Sequence, residues 1–314
     1  MKMTLSRRTI LKSGAGFALA LSAPAILDRR AFASDAPKLQ TVNLGMITMA
    51  TVGDMPMVAV RDGQVVGTDA DMLRLIASKL GLELRADVME WSACLASVPG
   101  GRADWVGGNT AWTAQRSQAM LMTDEVYYTG MYALMKKDQP FDTSIAITDF
   151  AGKSVGALTG TAPVPDLRKY AEIAEVKLYD TTDACVRDVA AGRADFAILD
   201  APFVDYIIQQ DASLNLKQVP MKFDPDYRAA TGKQYSVWGM NSENTDLYDA
   251  VNQGVKWLWK TGQVGPILKK YGITSDDYLK PAEKSPRLGV DRDEADNLIG
   301  RFKHEPKDFS AYFS

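Results

Sequence analysis

From residue 41 onward the chain alternates short strand-like apolar runs with segments whose apolar residues recur at helical spacing, and it does so in two successive rounds. "TVNLGMI" reads as a strand, and "DADMLRLIASKLG" as a helix with Met72, Leu73, Ile76 and Leu80 on one face. "LELRADV" is a strand, "WSACLASVPGG" a short helix, and "ADWVGG" and "YALMKKD" are further strands. The second round runs "KSVGAL" strand, "VPDLRKYAE" helix, "EVKLYD" strand, "TTDACVRDVAAG" helix, "ADFAILD" strand and "PFVDYIIQQ" helix. "YSVWGM" and the long helical "TDLYDAVNQGVKWLWKTGQVGPILKKYG" close the folded part. Few architectures accept such a pattern, and it predicts two α/β lobes with mainly parallel sheets. The rounds also echo each other. "WSACLASVPGGRADWVGG" and "TTDACVRDVAAGRADFAILD" each carry a helix into Gly-Arg-Ala-Asp and on into an apolar strand. The glycine stops the helix and the aspartate opens the strand. From Pro281 the chain is polar with little periodicity, and residues 281–314 read as an extension lying over a lobe, with partial helix in "DEADNLIGRF".

The N-terminus reads as an export signal over residues 1–33. Arg7 and Arg8 precede a short apolar run, and Ala31-Phe32-Ala33 offers small residues to a signal peptidase. The Ser-Arg-Arg-x-Ile-Leu-Lys pattern resembles the twin-arginine class, a general secretory signal being the alternative. No cysteine near the cleavage site is available for lipidation, and no later run approaches the ~20 apolar residues of a spanning helix. The expected location is the periplasm. Removing the leader takes six of 36 basic and one of 39 acidic residues, which leaves 30 against 38 and a net charge of −8. That surface disfavours nucleic acid and anionic membrane as partners.

Cys94 and Cys185 each sit beside apolar residues in helices of different rounds, so two separate buried thiols are expected. The single histidine, His304, lies in the polar tail. A histidine-based triad and a multi-histidine metal site are therefore excluded, and neither a metal nor another cofactor is expected.

In order and spacing, these segments together resemble the polar amino-acid binding proteins of bacterial ABC importers, the extracellular solute-binding proteins of family 3. "GTDADMLRLIASKLGL", "WSACLASVPGGRADWVGGNTAWTAQR", "FAGKSVGALTGT" and "AAGRADFAILD" carry the likeness, which covers most of residues 40–278. It implies a two-lobed periplasmic-binding-protein fold with a ligand cleft between lobes. Residues 40–138 plus 234–280 would form lobe one and 142–232 lobe two. It also implies a monomer that binds a small molecule, an amino acid or small carboxylate, and docks on a membrane permease.

The resemblance assigns Arg116 to the ligand's carboxylate. A guanidinium suits that task, since it offers two parallel hydrogen bonds and keeps its charge at any physiological pH. Thr113 stands where it can cap the helix that Arg116 begins. Asn109 and Ala111 occupy positions where hydroxyl residues are common, and Ala111 can donate nothing from its side chain. Asp200, at the end of a strand, would accept the ammonium, the alternative being a helix N-cap. Gly160 and Thr161 match a glycine-threonine pair whose amides help hold the carboxylate, although Pro163 and Pro165 follow at once. Trp91 matches the aromatic that stacks on the ligand, a core tryptophan being the alternative. The opposing aromatic is missing from "ATVGDMPMVAV"; Trp112, or a soft lining from Met55 and Met57, would take its place. Two other function classes stay open. One is a periplasmic accessory or sensor protein that binds without transport. The other is a dehydratase-like enzyme using an acid such as Glu90 or Glu125.

Overall fold

The computed structural model describes residues 36–282 and 284–314, so the export signal read over residues 1–33 lies outside the described residues. Two five-stranded sheets organise the chain. The first runs, from one edge to the other, Glu83–Val88, Met46–Thr51, Trp105–Val106, Gly239–Met240 and Leu121–Met122. The second runs Glu175–Tyr179, Ser154–Leu158, Phe196–Asp200, Met131–Lys136 and Leu216–Pro220. In each, three parallel strands are followed by one antiparallel strand and then by an edge strand that again runs with the first three, so the second sheet repeats the first. The echo noticed in the sequence falls at the same place in both. Trp91–Ser97 feeds the central strand Trp105–Val106, and Thr182–Ala191 feeds the central strand Phe196–Asp200.

Local chemistry explains the element ends. The helix Thr68–Lys79 carries Asp69 and Asp71 in its first turn and Lys79 in its last, which complements its dipole. Its apolar face, Met72, Leu73, Ile76 and Ala77, enters the core of lobe one. Gly67 precedes it with φ 125°, and a Cβ there would stand 2.2 Å from the Met57 carbonyl oxygen, so no other residue fits. Thr181 caps Thr182–Ala191 by accepting from Ala184 N, and Gly192 ends it in the left-handed conformation.

Several expectations change. The strand Met131–Lys136, expected in lobe one, pairs with Phe196–Asp200 and Leu216–Pro220 in the second sheet. Its apolar pattern identifies a strand but holds no information about which sheet receives it. The chain crosses between sheets on the antiparallel pair Tyr127–Thr129 and Gln234–Ser236. The long C-terminal helical stretch is two helices, Thr245–Lys260 and Val264–Lys270, broken where Gly262 adopts φ 67°. No helix forms in "DEADNLIGRF". Asp293 accepts from the amides of Ala295 and Asn297, and Asp296 and Gly300 take positive φ, so side chains hold turns in place of a helical ladder. The extension nevertheless packs closely, with Phe309 and Phe313 joining the lobe-one core. Among the described residues no helix is long and apolar enough to cross a membrane.

Candidate functional site

Arg116 reaches the cleft through a short local device. Thr113 has extended backbone, its hydroxyl accepts from Arg116 N at 3.1 Å, and the single turn Ala114–Ser117 begins there. The guanidinium is buried. It donates to the Ala111 carbonyl at 2.6 Å and, across the cleft, to the Gly160 carbonyl at 3.1 Å, and it lies 5.3 Å from the Trp91 ring centre. Burial lowers its pKa to about 10, against an opposing pull from Asp200.

Asp200 closes the strand Phe196–Asp200 and precedes the helix Ala201–Gln210, but its carboxylate makes no capping bond. The competing N-cap role is therefore unused. Burial pushes its pKa up to about 6, with the Arg116 charge and the Asn109 amide acting in the other direction. The two charges come from opposite lobes. Each is shifted toward its neutral form, so burial outweighs their mutual attraction.

Both line one cavity of about 60 Å³, together with Trp91, Asn109, Ala111 and Thr161. The buried Asn109 amide has no partner beyond the Asp200 carboxylate beside it, which leaves its oxygen unpaired, and the Trp91 indole nitrogen has none. A buried polar group left unpaired costs about 1–3 kcal/mol, so the cavity is prepared for a polar occupant. Thr113 and Gly160 are not among the lining residues. Thr113 spends its hydroxyl on the cap, and Gly160, with φ 77°, turns a carbonyl toward Arg116. The Thr161 amide and hydroxyl both bond to the Leu158 carbonyl, at 3.2 and 2.7 Å, and so serve the turn.

The soft methionine lining is not found. Met57 is fully buried in the lobe-one core, where its sulfur accepts from the Thr68 hydroxyl, and Met55 is not among the lining residues. Trp112 turns its indole N–H to Asp291 of the extension at 2.8 Å, away from the cleft. Val52, Met131, Leu158, Ile198 and Phe203 supply the apolar walls instead, with Gln234 from the crossing strand. One supporting residue escaped the sequence reading. Asp69 is fully buried and accepts from Trp238 Nε1 at 2.6 Å, Tyr127 Oη at 2.8 Å and Gly108 N at 3.2 Å. The last bond pins the backbone beside Asn109. An acid on an otherwise apolar helix face was the available signal.

Cys94 and Cys185 are buried free thiols in separate clusters on the two sheets. A second acidic group sits at the cleft. Burial raises the Asp54 pKa; the Thr182 hydroxyl opposes this, and Asp183 of lobe two and Glu90 of lobe one reinforce it.

A family model for the bacterial extracellular solute-binding proteins, family 3, matches residues 47–274. The chain belongs to that family. Among curated relatives, a probable amino-acid-binding protein of Bacillus subtilis (strain 168) is 27% identical over 225 residues, 71% of this chain and 81% of the relative. An L-cystine-binding protein of Escherichia coli (strain K12) is 28% identical over 214 residues, 67% of this chain and 75% of the relative. Solved structures share the two-lobed α/β architecture. An ancestral arginine-binding protein bound to arginine superposes with a TM-score of 0.62 at 22% identity, over 72% of this chain and 98% of that one. An amino acid ABC transporter substrate-binding protein of Streptococcus pneumoniae bound to L-arginine gives 0.64 at 21% identity, over 73% and 96%. The family 3 match ends at residue 274, so the extension from Pro281 lies beyond it.

Proposed function

We propose that the protein captures an α-amino acid between its lobes and delivers it to the membrane permease of an ABC importer. One observation carries this reading: a cation and a carboxylate from opposite lobes share a cavity, each disfavoured by burial and neither bonded to the other. A zwitterion between them would supply each with a counter-charge, and its carboxylate could take a two-point contact from Arg116. The named amino-acid-binding relatives support the same reading. Capture is favoured over catalysis because Asp200 is the one acid among the lining residues. Glu125 is engaged by Arg287 at 3.1 Å, away from the cavity, and Glu90 is not among the lining residues. We place the protein in the periplasm as a monomer, exported by the twin-arginine route read from residues 1–33.

The aliphatic walls favour an apolar side chain on the ligand. The acids Asp54, Glu90 and Asp183 support a second reading, a basic side chain whose charge relieves their repulsion on closure. Calorimetric titration with L-leucine, L-methionine, L-cystine, L-arginine and L-lysine, and with amine-free carboxylates of the same shapes, separates these. Binding of an amine-free carboxylate as tight as that of its parent amino acid would refute the zwitterion reading. Preference for arginine and lysine would select the acidic subsite.

A further inference from the structure

Arg287 and Arg292 lie in the C-terminal extension, yet they are 1% and 3% exposed. Arg287 donates to the carbonyls of Met122 and Thr123 and to Glu125, all in lobe one, and grips both oxygens of Asp291 at 3.1 and 3.0 Å. Arg292 adds bonds to Met122, Asp124 and Tyr248. Two buried guanidiniums with this many partners fix the extension in one register on the lobe. Asp291, so held, accepts the indole N–H of Trp112 at 2.8 Å.

Trp112 is separated from Arg116 by three residues, and a single peptide unit links them physically. The N–H of the Ala111–Trp112 peptide donates to the Tyr235 carbonyl at 2.8 Å, and its carbonyl accepts from the Arg116 guanidinium at 2.6 Å. The Trp112 Cα closes that peptide, and the bond from the indole to Asp291 restrains the Cα; an indole freed from Asp291 lets the Cα shift and moves the carbonyl that aims Arg116. A continuous path of bonds therefore runs from Arg287 through Asp291 and Trp112 to the cation in the cleft.

We infer that the C-terminal extension is part of the ligand site, with Asp291 and Trp112 as positioning residues that set the direction of the Arg116 guanidinium. The inference rests on Arg116 being the anion-binding group, and it extends that reading to a segment outside the family match. Trp112→Phe keeps an aromatic side chain, removes the N–H donor together with part of the buried indole, and leaves Asp291 its bonds to Arg287. In protein labelled with ¹⁵N-arginine and free of added ligand, exchange with water of the Arg116 Nη1 protons, which bond to the Ala111 carbonyl, should quicken at least fivefold in Trp112→Phe. Unchanged exchange would overturn the proposal, whatever the ligand proves to be.

Calorimetry with the five L-amino acids named above gives the second arm. Trp112→Phe should weaken the tightest of them about tenfold in the wild-type background and less than about twofold in the Arg116→Lys background. Equal losses in both backgrounds would show that Trp112 acts only through general stability, and the proposal would fail. If none of the five binds wild type, the amino-acid reading fails, and the exchange measurement still decides the positioning claim.

Discussion

Within lobe one, the aspartate of the Gly-Arg-Ala-Asp turn, Asp104, is buried and accepts from Thr48 N at 2.8 Å and Val42 N at 2.9 Å. Its counterpart in lobe two, Asp195, is more open and accepts from both the amide and the hydroxyl of Ser154, each at 2.8 Å. Four identical residues thus tie a central strand to its neighbour in both lobes, but the surroundings invert the electrostatics. Burial raises the pKa of Asp104 against its backbone hydrogen bonds, whereas at Asp195 the bonds from Ser154 outweigh burial and lower it. The same contrast appears at the far ends of these strands. Lobe one continues from Trp105–Val106 into the loop that ends at Arg116, and lobe two ends its strand on Asp200. A repeated frame sets where the strand ends meet the cleft. The residues placed there set the charge.

The comparison can be broken most severely at the cleft. Arg116→Ala should weaken amino-acid binding by about 2–5 kcal/mol, roughly 30-fold to several thousand-fold, because the ligand's carboxylate loses its counter-charge in a desolvated site. Arg116→Lys should recover only part of this, since an ammonium cannot make the two-point contact. Asp200→Asn should be comparably severe for an amino acid and mild for a carboxylate lacking the amine. Titration calorimetry reads all three, and wild-type affinity in Arg116→Ala would remove the site assignment.

Next in size are the paired turns. Asp104→Ala should cost about 2–4 kcal/mol of stability, since it leaves two amides without their charged acceptor in a buried setting. Asp195→Ala should cost about 1 kcal/mol, because water can replace the lost acceptor. Urea unfolding of both variants decides this, and equal costs would deny that burial separates the copies. A smaller effect is expected of Asp200→Asn on the ligand-free protein. The folded-state pKa of Asp200, about 6, lies above the ordinary value of 3.8, so its contribution to stability is fully present below about pH 3.8 and is lost as pH rises through 6. The asparagine variant should therefore exceed wild type by about 1–2 kcal/mol at pH 8, after allowance for partial exposure, and the gap should close toward pH 4. Thermal melts across that range measure it. The smallest expected response is that of the thiols. Burial pushes both Cys94 and Cys185 up to about 12, so neither should react appreciably with a thiol reagent in native protein at pH 8, and two should appear on denaturation.

Most of the frame was legible in the sequence because it is local. Period-2 and period-3.6 apolar patterns mark strands and helices, and the Gly-Arg-Ala-Asp turns mark their junctions. Arg116, Asp200, Trp91, Asn109, Ala111 and Thr161, singled out from the sequence, line one cavity. What stayed hidden was pairing at long range. Nothing in "YALMKKD" says that Met131–Lys136 will join Phe196–Asp200, and nothing near Trp112 points to Asp291, 179 positions away. The walls of the cavity were equally obscure. Leu158, Ile198 and Phe203 read as ordinary core residues, and only the shape of the cleft assigns them to it.

The two sheets also differ in how much chain each must await. The second takes all five strands from one stretch, Met131 to Pro220, whereas the first needs Gly239–Met240 between Trp105–Val106 and Leu121–Met122, with Phe309 and Phe313 still to pack beneath. Closing short loops costs less entropy than closing long ones, and contacts near in sequence form sooner. The second lobe should therefore gain protection early in refolding, which pulsed hydrogen exchange would detect between residues 131 and 220. The first would be completed only when Phe309 and Phe313 have found their place.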